Sequence, residues 1–537
     1  ASLKNSTMRP QDGPNQQRSR RDGDGGVGLS IPPWFWAVLC VFGAWGAISP
    51  NPALTLFSLL LLPLLWALLW RGAEPPVLLF ACGMQWLQAA VLIFHNNYHG
   101  TALGGGTIES RLPQASWLSL SGVFVVALGM RLALIRSQPI SAQNLKDEAL
   151  RLVPPRLFSA YIGCLLAASV LERFVFARPG LSQLIFGLLN LKWLPAFLLA
   201  YAVLTQRKHY GLLGVVFAIE FSTGVLGFFS GFKSVFFILL VVGLGVQRLR
   251  QRTNWGAILA LIGVLFVTAL VWTAVKGEYR TFLNQGTGQQ QVLVSVPQRV
   301  EVLAGLVRHL TPGDFNDAFD GTLMRIAYVE LFGDCIENVP STLPYENGAL
   351  WLGAVQRIFM PRIFFPNKAI VDDSERARKY TGREFAGREE GTSIGIGYMA
   401  ESYVDFGPWL MFVPVLLLGV FYGLIYRLFS NRGPSRLLGL ANACAILAFG
   451  AYTIETSNIK LIGMNTSSFL VLGFIYWRFG RSFMQWVTRP QPGMKGRRTS
   501  RRGGAALPSS KPDADIPEAV SGMTSPAGLL QGPSAGA

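Results

Sequence analysis

Between Arg357 and Arg388 the chain places eight basic residues, Arg357, Arg362, Lys368, Arg376, Arg378, Lys379, Arg383 and Arg388, against only Asp372, Asp373, Glu375 and Glu384. Arginine carries a planar fork of donors that grips phosphate or carboxylate in two places and stays charged at every working pH. Such a run is suited to holding a diphosphate. Arg362 lies between Pro361 and the aromatic pair Phe364–Phe365, a stiff and interface-seeking context, and Arg357 and Lys368 flank it. The competing reading is a solvated charge run neutralised by nearby acids. Just upstream, Asp314 to Glu346 holds seven carboxylates and the single Arg325, so a balancing partner segment is at hand. Lys233, Lys276 and Arg280 are further candidates for an anion site. Each lies at the end of an apolar stretch, where a long basic side chain can also simply reach the headgroup layer.

A second set offers proton chemistry. Glu401 precedes Tyr403 and Asp405 in ESYVDFG, at the start of another apolar stretch. Burial would raise the pKa of Glu401 and a neighbouring arginine would lower it again, which suits a general base acting on a hydroxyl. Alternatively it is a carboxylate favoured by a helix N-terminus. Tyr403 and Asp405 are read as substrate-binding, and His309 as a further candidate on an amphipathic helix, where a ring also simply packs or meets water. Glu220 and Lys192 fall inside apolar stretches, and such charges either serve transport or pair as a structural bridge. Metal ligands are not expected. Asp314, Asp317 and Asp320 recur every three residues rather than every two, unlike a calcium loop. The four histidines, His95, His99, His209 and His309, look scattered, and there is no CxxC. Ser-His-Asp and Gly-rich phosphate-loop motifs are missing as well.

The elements that must position these groups are apolar helices. The 537-residue chain is 51% hydrophobic and 14% charged, well below the roughly 25% charge of soluble domains. Stretches near the 20 residues needed to cross a bilayer fall at about 32–49, 52–70, 76–94, 115–135, 157–177, 184–204, 210–230, 233–247, 255–275, 409–428, 436–454 and 461–479. The expected fold is thus an all-α polytopic membrane protein of twelve spans. Residues 1–30 and 481–537 read as polar tails, the second one basic, with spans one to nine in 31–275 and ten to twelve in 409–480. One large, mostly helical loop at 276–408 interrupts them. Basic residues crowd alternate connections, which places both tails in the cytoplasm and the large loop outside. The net charge of +17 then reflects membrane topology, and no nucleic-acid partner is expected. Of five cysteines only Cys335 falls in the loop, so no disulfide framework forms there. Within the loop, Val300, Leu303, Leu306, Val307 and Leu310 recur at helical spacing, as do Leu350, Ala354 and Ile358.

Four segments, SGFKS, VKGEYR, MPRIFFPNK and TSIGIGYMAESYVDFG, carry a resemblance. Pro361-Arg362 with Pro366-Asn367-Lys368, followed by Glu401-x-Tyr403-x-x-Phe406-Gly407, resembles the Wzy-type O-antigen and exopolysaccharide repeat-unit polymerases over about 225–425. The resemblance implies a metal-independent, inverting glycosyltransferase without cofactors at the outer face of a bacterial inner membrane. A polyprenyl-pyrophosphate-linked oligosaccharide would be donor and acceptor, and a flippase and a chain-length regulator would be protein partners. Glu401 would be the base, with Arg362 and Arg357 beside it. Arg362, Arg357, Lys368 and the Lys233/Arg280 group would hold the departing pyrophosphate, with Lys276 and Arg388 as further substrate-binding residues. An O-antigen ligase is an alternative within the class, and a lipid-linked-glycan transporter using Glu220 and Lys192 is one outside it.

Overall fold

The structure, a computed structural model, describes residues 31–104, 111–177, 182–229, 231–249, 254–288, 290, 292–360, 365, 367–368, 372–385, 387 and 393–489. Arg362 and Arg388 lie outside the described residues, as do both outer portions of the tails. Helices account for the architecture: α1 (Pro33–Ala47), α2 (Pro52–Leu69), α3 (Val77–Tyr98), α4 (Leu112–Leu134), α5 (Ala142–Arg151), α6 (Pro154–Ala177), α7 (Ser182–Leu189), α8 (Trp193–Gln206), α9 (Tyr210–Val225) and α10 (Lys233–Leu249). They continue with α11 (Trp255–Leu283), α12 (Val296–Arg308), α13 (Pro312–Ile326), α14 (Val329–Asn338), α15 (Ala349–Ile358), α16 (Asp373–Thr381), α17 (Gly397–Leu410), α18 (Phe412–Asn431), α19 (Arg436–Gly450) and α20 (Asn458–Val487). Among the described residues the one extended pairing is an isolated bridge between Leu152 and Thr488.

Among the described residues, eight helical segments are long and apolar enough to cross a membrane: α2, α3, α4, the greater part of α6, α7 run together with α8, α11, α18 and α20. Their length and composition are compatible with a multi-pass helical membrane protein. The shorter apolar helices α1, α9, α10 and α19 lie where the sequence also shows apolar stretches. Proline opens many of these helices, at Pro33, Pro52, Pro113, Pro154, Pro297 and Pro312, because the first turn has no intrahelical use for the missing N–H. Inside α2, Pro63 is tolerated because neighbouring helices can compensate a freed carbonyl in a spanning segment. The tightest pairing is α4 on α18. A Cβ on Gly129 or Gly419 would run into the facing backbone, the small-residue close approach that packs helices in lipid.

The polar stretch between α11 and α18 folds onto this bundle. Two of its helices start with reciprocal caps, Ser295 with Gln298 for α12 and Thr311 with Asp314 for α13. The first covers the stretch where the spacing of Val300, Leu303, Leu306 and Val307 predicts a helix; the second carried no such expectation. Helix α11 runs past residue 275 to Leu283, so Lys276 and Arg280 sit in its last turns rather than on a loop. Helix α17 is the more consequential difference: its residues 397–405 are buried almost throughout. Polar-looking sequence has become core, and Gly407, at φ 72°, breaks the rod before α18. A positive φ is free only for glycine, so this residue lets α17 and α18 point in different directions.

Candidate functional site

Tyr398, Glu401, Val404 and Asp405 share α17 with Tyr403, and each faces a different neighbour. The Glu401 side chain is 1% exposed. Its Oε2 accepts the backbone N–H of Asn458 at 2.7 Å, the first turn of α20, and its Oε1 accepts Arg376 Nη1 at 3.3 Å. Glu401 therefore lies beside a helix N-terminus, that of α20 rather than of its own helix, with an arginine next to it. Burial pushes the Glu401 carboxyl up to about 7; the Asn458 amide and the Arg376 guanidinium pull it down, and nearby Asp373 pushes it up again. Asp373 lies beside it on the same helix end: its Oδ2 accepts Lys460 Nζ at 2.6 Å and Ser457 Oγ at 3.2 Å. Two buried acids and two cations thus surround the start of α20. Within this group Asp373 Oδ1 and both side-chain atoms of Asn458 are buried without a protein partner. Buried polar atoms are nearly always bonded, so these three are open to a water or another polar group.

The turn from α19 to α20 forms the floor. Gln85 of α3 donates to the Ala451 carbonyl at 2.7 Å and accepts from Tyr398 Oη at 2.8 Å. Gln88 donates to the Tyr452 carbonyl at 2.9 Å and accepts the Ile454 amide at 3.0 Å. Tyr328, between α13 and α14, accepts the Ala400 amide at 2.9 Å while its own amide donates to the Gln88 carbonyl at 3.2 Å. None of these three residues stands out in the sequence, because a glutamine in an apolar run or a tyrosine in a loop announces no partner.

The other candidates fall into distinct places. Lys233 opens α10 with its Nζ 5.6 Å from the ring centre of Tyr452, on the same turn. Lys276 and Arg280 lie close enough to Arg325 of α13 to repel it. Arg280 donates to the Phe228 carbonyl at 3.0 Å, and among the described residues none of the three is in an ion pair. Their charges therefore repel one another without an acid in ion-pair range among the described residues. Arg325 was the one basic residue in the acidic segment and carried no expectation. Two residues of chain separate it from Tyr328, and hence from the α17 contact beside Glu401.

Lys368 instead donates to the carbonyls of Arg357 and Met360 at 2.8 and 2.9 Å, closing the C-terminus of α15, where a cation meets the negative end of the helix. Arg357 is half-buried at that same end. Asp405 does the reverse job: its two oxygens accept the amides of Leu350 and Trp351 at 3.0 and 2.9 Å, capping the start of α15. Burial raises its pKa, against the pull of those amides. A carboxylate so engaged anchors a helix. Tyr403 is buried and donates to the Val339 carbonyl at 3.1 Å, so it too is tied inside the fold rather than offered to a substrate. His309 ends α12, exposed, with Nδ1 at 2.7 Å from the Gly305 carbonyl; it belongs to its own helix end.

Two further cations pair with acids, as the balanced-charge reading expects, while Arg378 of α16 donates to the Phe385 carbonyl at 2.9 Å. Lys379 bonds Glu346 at 2.6 Å and Arg383 bonds Asp334 at 2.6 Å. Hydrogen bonding to Lys379 holds the Glu346 carboxyl below its usual range. Glu220 likewise meets Lys192 at 2.7 Å and accepts from Tyr161 at 2.8 Å. That is the bridge reading of the two intramembrane charges. The histidines are not scattered in space: His95 and His99 converge on Asp320, because a four-residue step turns both rings to one helix face and a distant helix supplies the acid.

Residues 132–454 match the family described as Domain of unknown function (DUF8712), which is more than half of the chain. The chain belongs to that family. The matched region takes in Lys233, Lys276, Arg280, Arg325, Arg376 and Glu401, and ends just short of α20. No curated protein matches the chain, and no solved structure does.

Proposed function

We propose that the protein is a membrane glycosyltransferase that polymerises lipid-linked oligosaccharide units from a polyprenyl pyrophosphate donor at the outer face of a bacterial inner membrane. In this reading twelve helices span the bilayer, both tails face the cytoplasm, and the α12–α17 region faces outward. The observation that carries it is Glu401: a buried carboxyl brought to about 7, set among buried polar atoms that lack partners. A group of that pKa accepts a proton readily at neutral pH and is matched to general-base work. As the acceptor hydroxyl oxygen bonds to the anomeric carbon of the donor sugar, its proton passes to Glu401. The bond from that carbon to the pyrophosphate oxygen breaks, and the electron pair leaves with the pyrophosphate. Lys276, Arg280 and Arg325, with Lys233 nearer the α19–α20 turn, stabilise the departing charge. Arg362 and Arg388 join them on the sequence pattern alone. Arg376 acts through Glu401, holding its carboxyl ionised. Transfer of this kind inverts the anomeric centre and needs no metal.

The test compares Glu401→Gln and Arg325→Ala with wild type in cells lacking the native gene. Single lipid-linked units stranded on the outer face, with elongation lost, support the reading. Units held on the inner face favour a flippase instead. Polymer that forms but stays on its lipid favours a ligase, and unchanged glycan length removes the proposal altogether.

A further inference from the structure

His95 and His99 lie one helical turn apart at the C-terminal end of α3, where the His99 amide still donates to the His95 carbonyl at 3.1 Å. Both rings therefore leave one face of the helix. Opposite them, on α13, Asp320 Oδ1 lies 3.1 Å from His95 Nε2 and 3.9 Å from His99 Nε2, and the two ring centres are 4.6 Å apart. The first distance is a hydrogen bond and the second is too long for one. One proton answers only one of the rings. A divalent metal ion answers both nitrogens and the carboxylate together, with both rings neutral.

Geometry permits this. The three ligand atoms lie within 4.8 Å of one another, and metal bonds of about 2.0–2.2 Å at tetrahedral angles place ligand atoms roughly 3.3 Å apart. Closing the difference takes small side-chain rotations, and the side chains have room: His95 is 17% exposed, His99 45% and Asp320 52%. The backbone beneath is firm by contrast. Asn97, between the histidines, is buried and bonded to Asn51 at 2.8 Å and Thr55 at 2.7 Å. Helix α13 is tied to α11 through Thr322 and Thr273 at 3.0 Å.

We propose that His95, His99 and Asp320 bind a first-row divalent metal ion, zinc above all. Two imidazole nitrogens and one carboxylate oxygen suit zinc and disfavour magnesium and calcium, which take oxygen ligands. Three protein ligands leave a fourth position to water or to a ligand. His95 also borders an apolar groove of about 540 Å³ lined by Trp45, Phe94, Tyr98 and Phe319, so that position is reachable. The metal fastens α13 to α3 and thereby holds Arg325, further along α13, in place. The site shares no residue with Glu401, and it stands or falls separately from the proposed transferase.

The full-length protein in detergent, stripped with chelator, is titrated with zinc chloride by calorimetry and assayed for retained metal after gel filtration. The expected result is about one zinc per chain, a higher unfolding temperature with zinc, and no comparable response to magnesium. His99→Ala and Asp320→Asn weaken binding at least about tenfold and lose the thermal shift, with gel-filtration profiles like wild type. Failure of the wild type to retain zinc overturns the proposal. Equal retention by a His95→Ala/His99→Ala double variant overturns it too, by sending the metal to other histidines or to cysteines.

Discussion

Glu401 joins two kinds of surroundings that pull its proton in opposite directions, and its titration is therefore the most informative property of any single residue. A carboxyl raised from 4.5 to about 7 keeps its proton in the folded chain over a range where the unfolded chain has lost it. Across that window the folded state binds more protons, so stability falls as pH rises from about 4.5 to about 7. A shift of that size corresponds to on the order of 3 kcal/mol. Thermal unfolding at about pH 5 and about pH 8 should show wild type losing stability that Glu401→Gln does not lose; parallel profiles would contradict the burial argument. Catalysis runs the other way, since the base works ionised, and elongation should rise with pH through about 7. Among the described residues Glu401 is the one acid in an ion pair with Arg376, and loss of Arg376 leaves the carboxyl more strongly protonated. The rate profile of Arg376→Ala should move to higher pH while Arg376→Lys restores part of the shift. A profile that drops uniformly without moving would assign Arg376 to folding alone.

Helix α15 shows how one element is held at both ends by residues that look like binding groups in the sequence. Asp405 caps its amides and Lys368 its carbonyls, so the helix sits between opposite charges that match its dipole. Replacing Asp405 by Ala should cost about 1–2 kcal/mol, the range for loss of a helix cap. Hydrogen exchange over 349–358 should quicken while the apparent affinity for lipid-linked substrate stays constant. A specific loss of substrate affinity with unchanged exchange would restore Asp405 as a ligand. Helix α17 depends on the same contact from the other side, and Gly407 sets the angle at which it leaves for α18.

For the whole molecule, the apolar bundle is fastened by a few buried polar networks rather than by many surface pairs. Glu74 accepts from Arg71, Tyr426 and the Ile140 amide, binding the α2–α3 connection to α18 and to the segment before α5. Lys192, Glu220 and Tyr161 do the same for α6, α8 and α9. Removing one member of a buried pair strands the other, at about 3–5 kcal/mol, whereas replacing both is often nearly neutral. Glu220→Gln alone should therefore lower the unfolding temperature in detergent, and Glu220→Gln with Lys192→Met should recover most of the loss. A double variant no better than the single would mean the pair does more than bridge helices.

Much of this was legible in the residue order. Runs of apolar residues forecast the helices α2, α3, α4, α6, α8, α11, α18 and α20, because burying a backbone in lipid leaves little choice but helix, and the spacing around Leu303 and Ala354 forecast α12 and α15. Glu401 stood out because a carboxylate beside an apolar stretch is costly unless it has work or a partner. What residue order could not hold was the pairing across distance. Which cation meets Glu401, which acid meets His95, why Lys368 and Asp405 serve one short helix, and why Arg325 gathers with Lys276 and Arg280 all depend on side chains brought together from remote segments. Charge type is local and is written residue by residue; partnership is set by packing, and only the folded chain decides it.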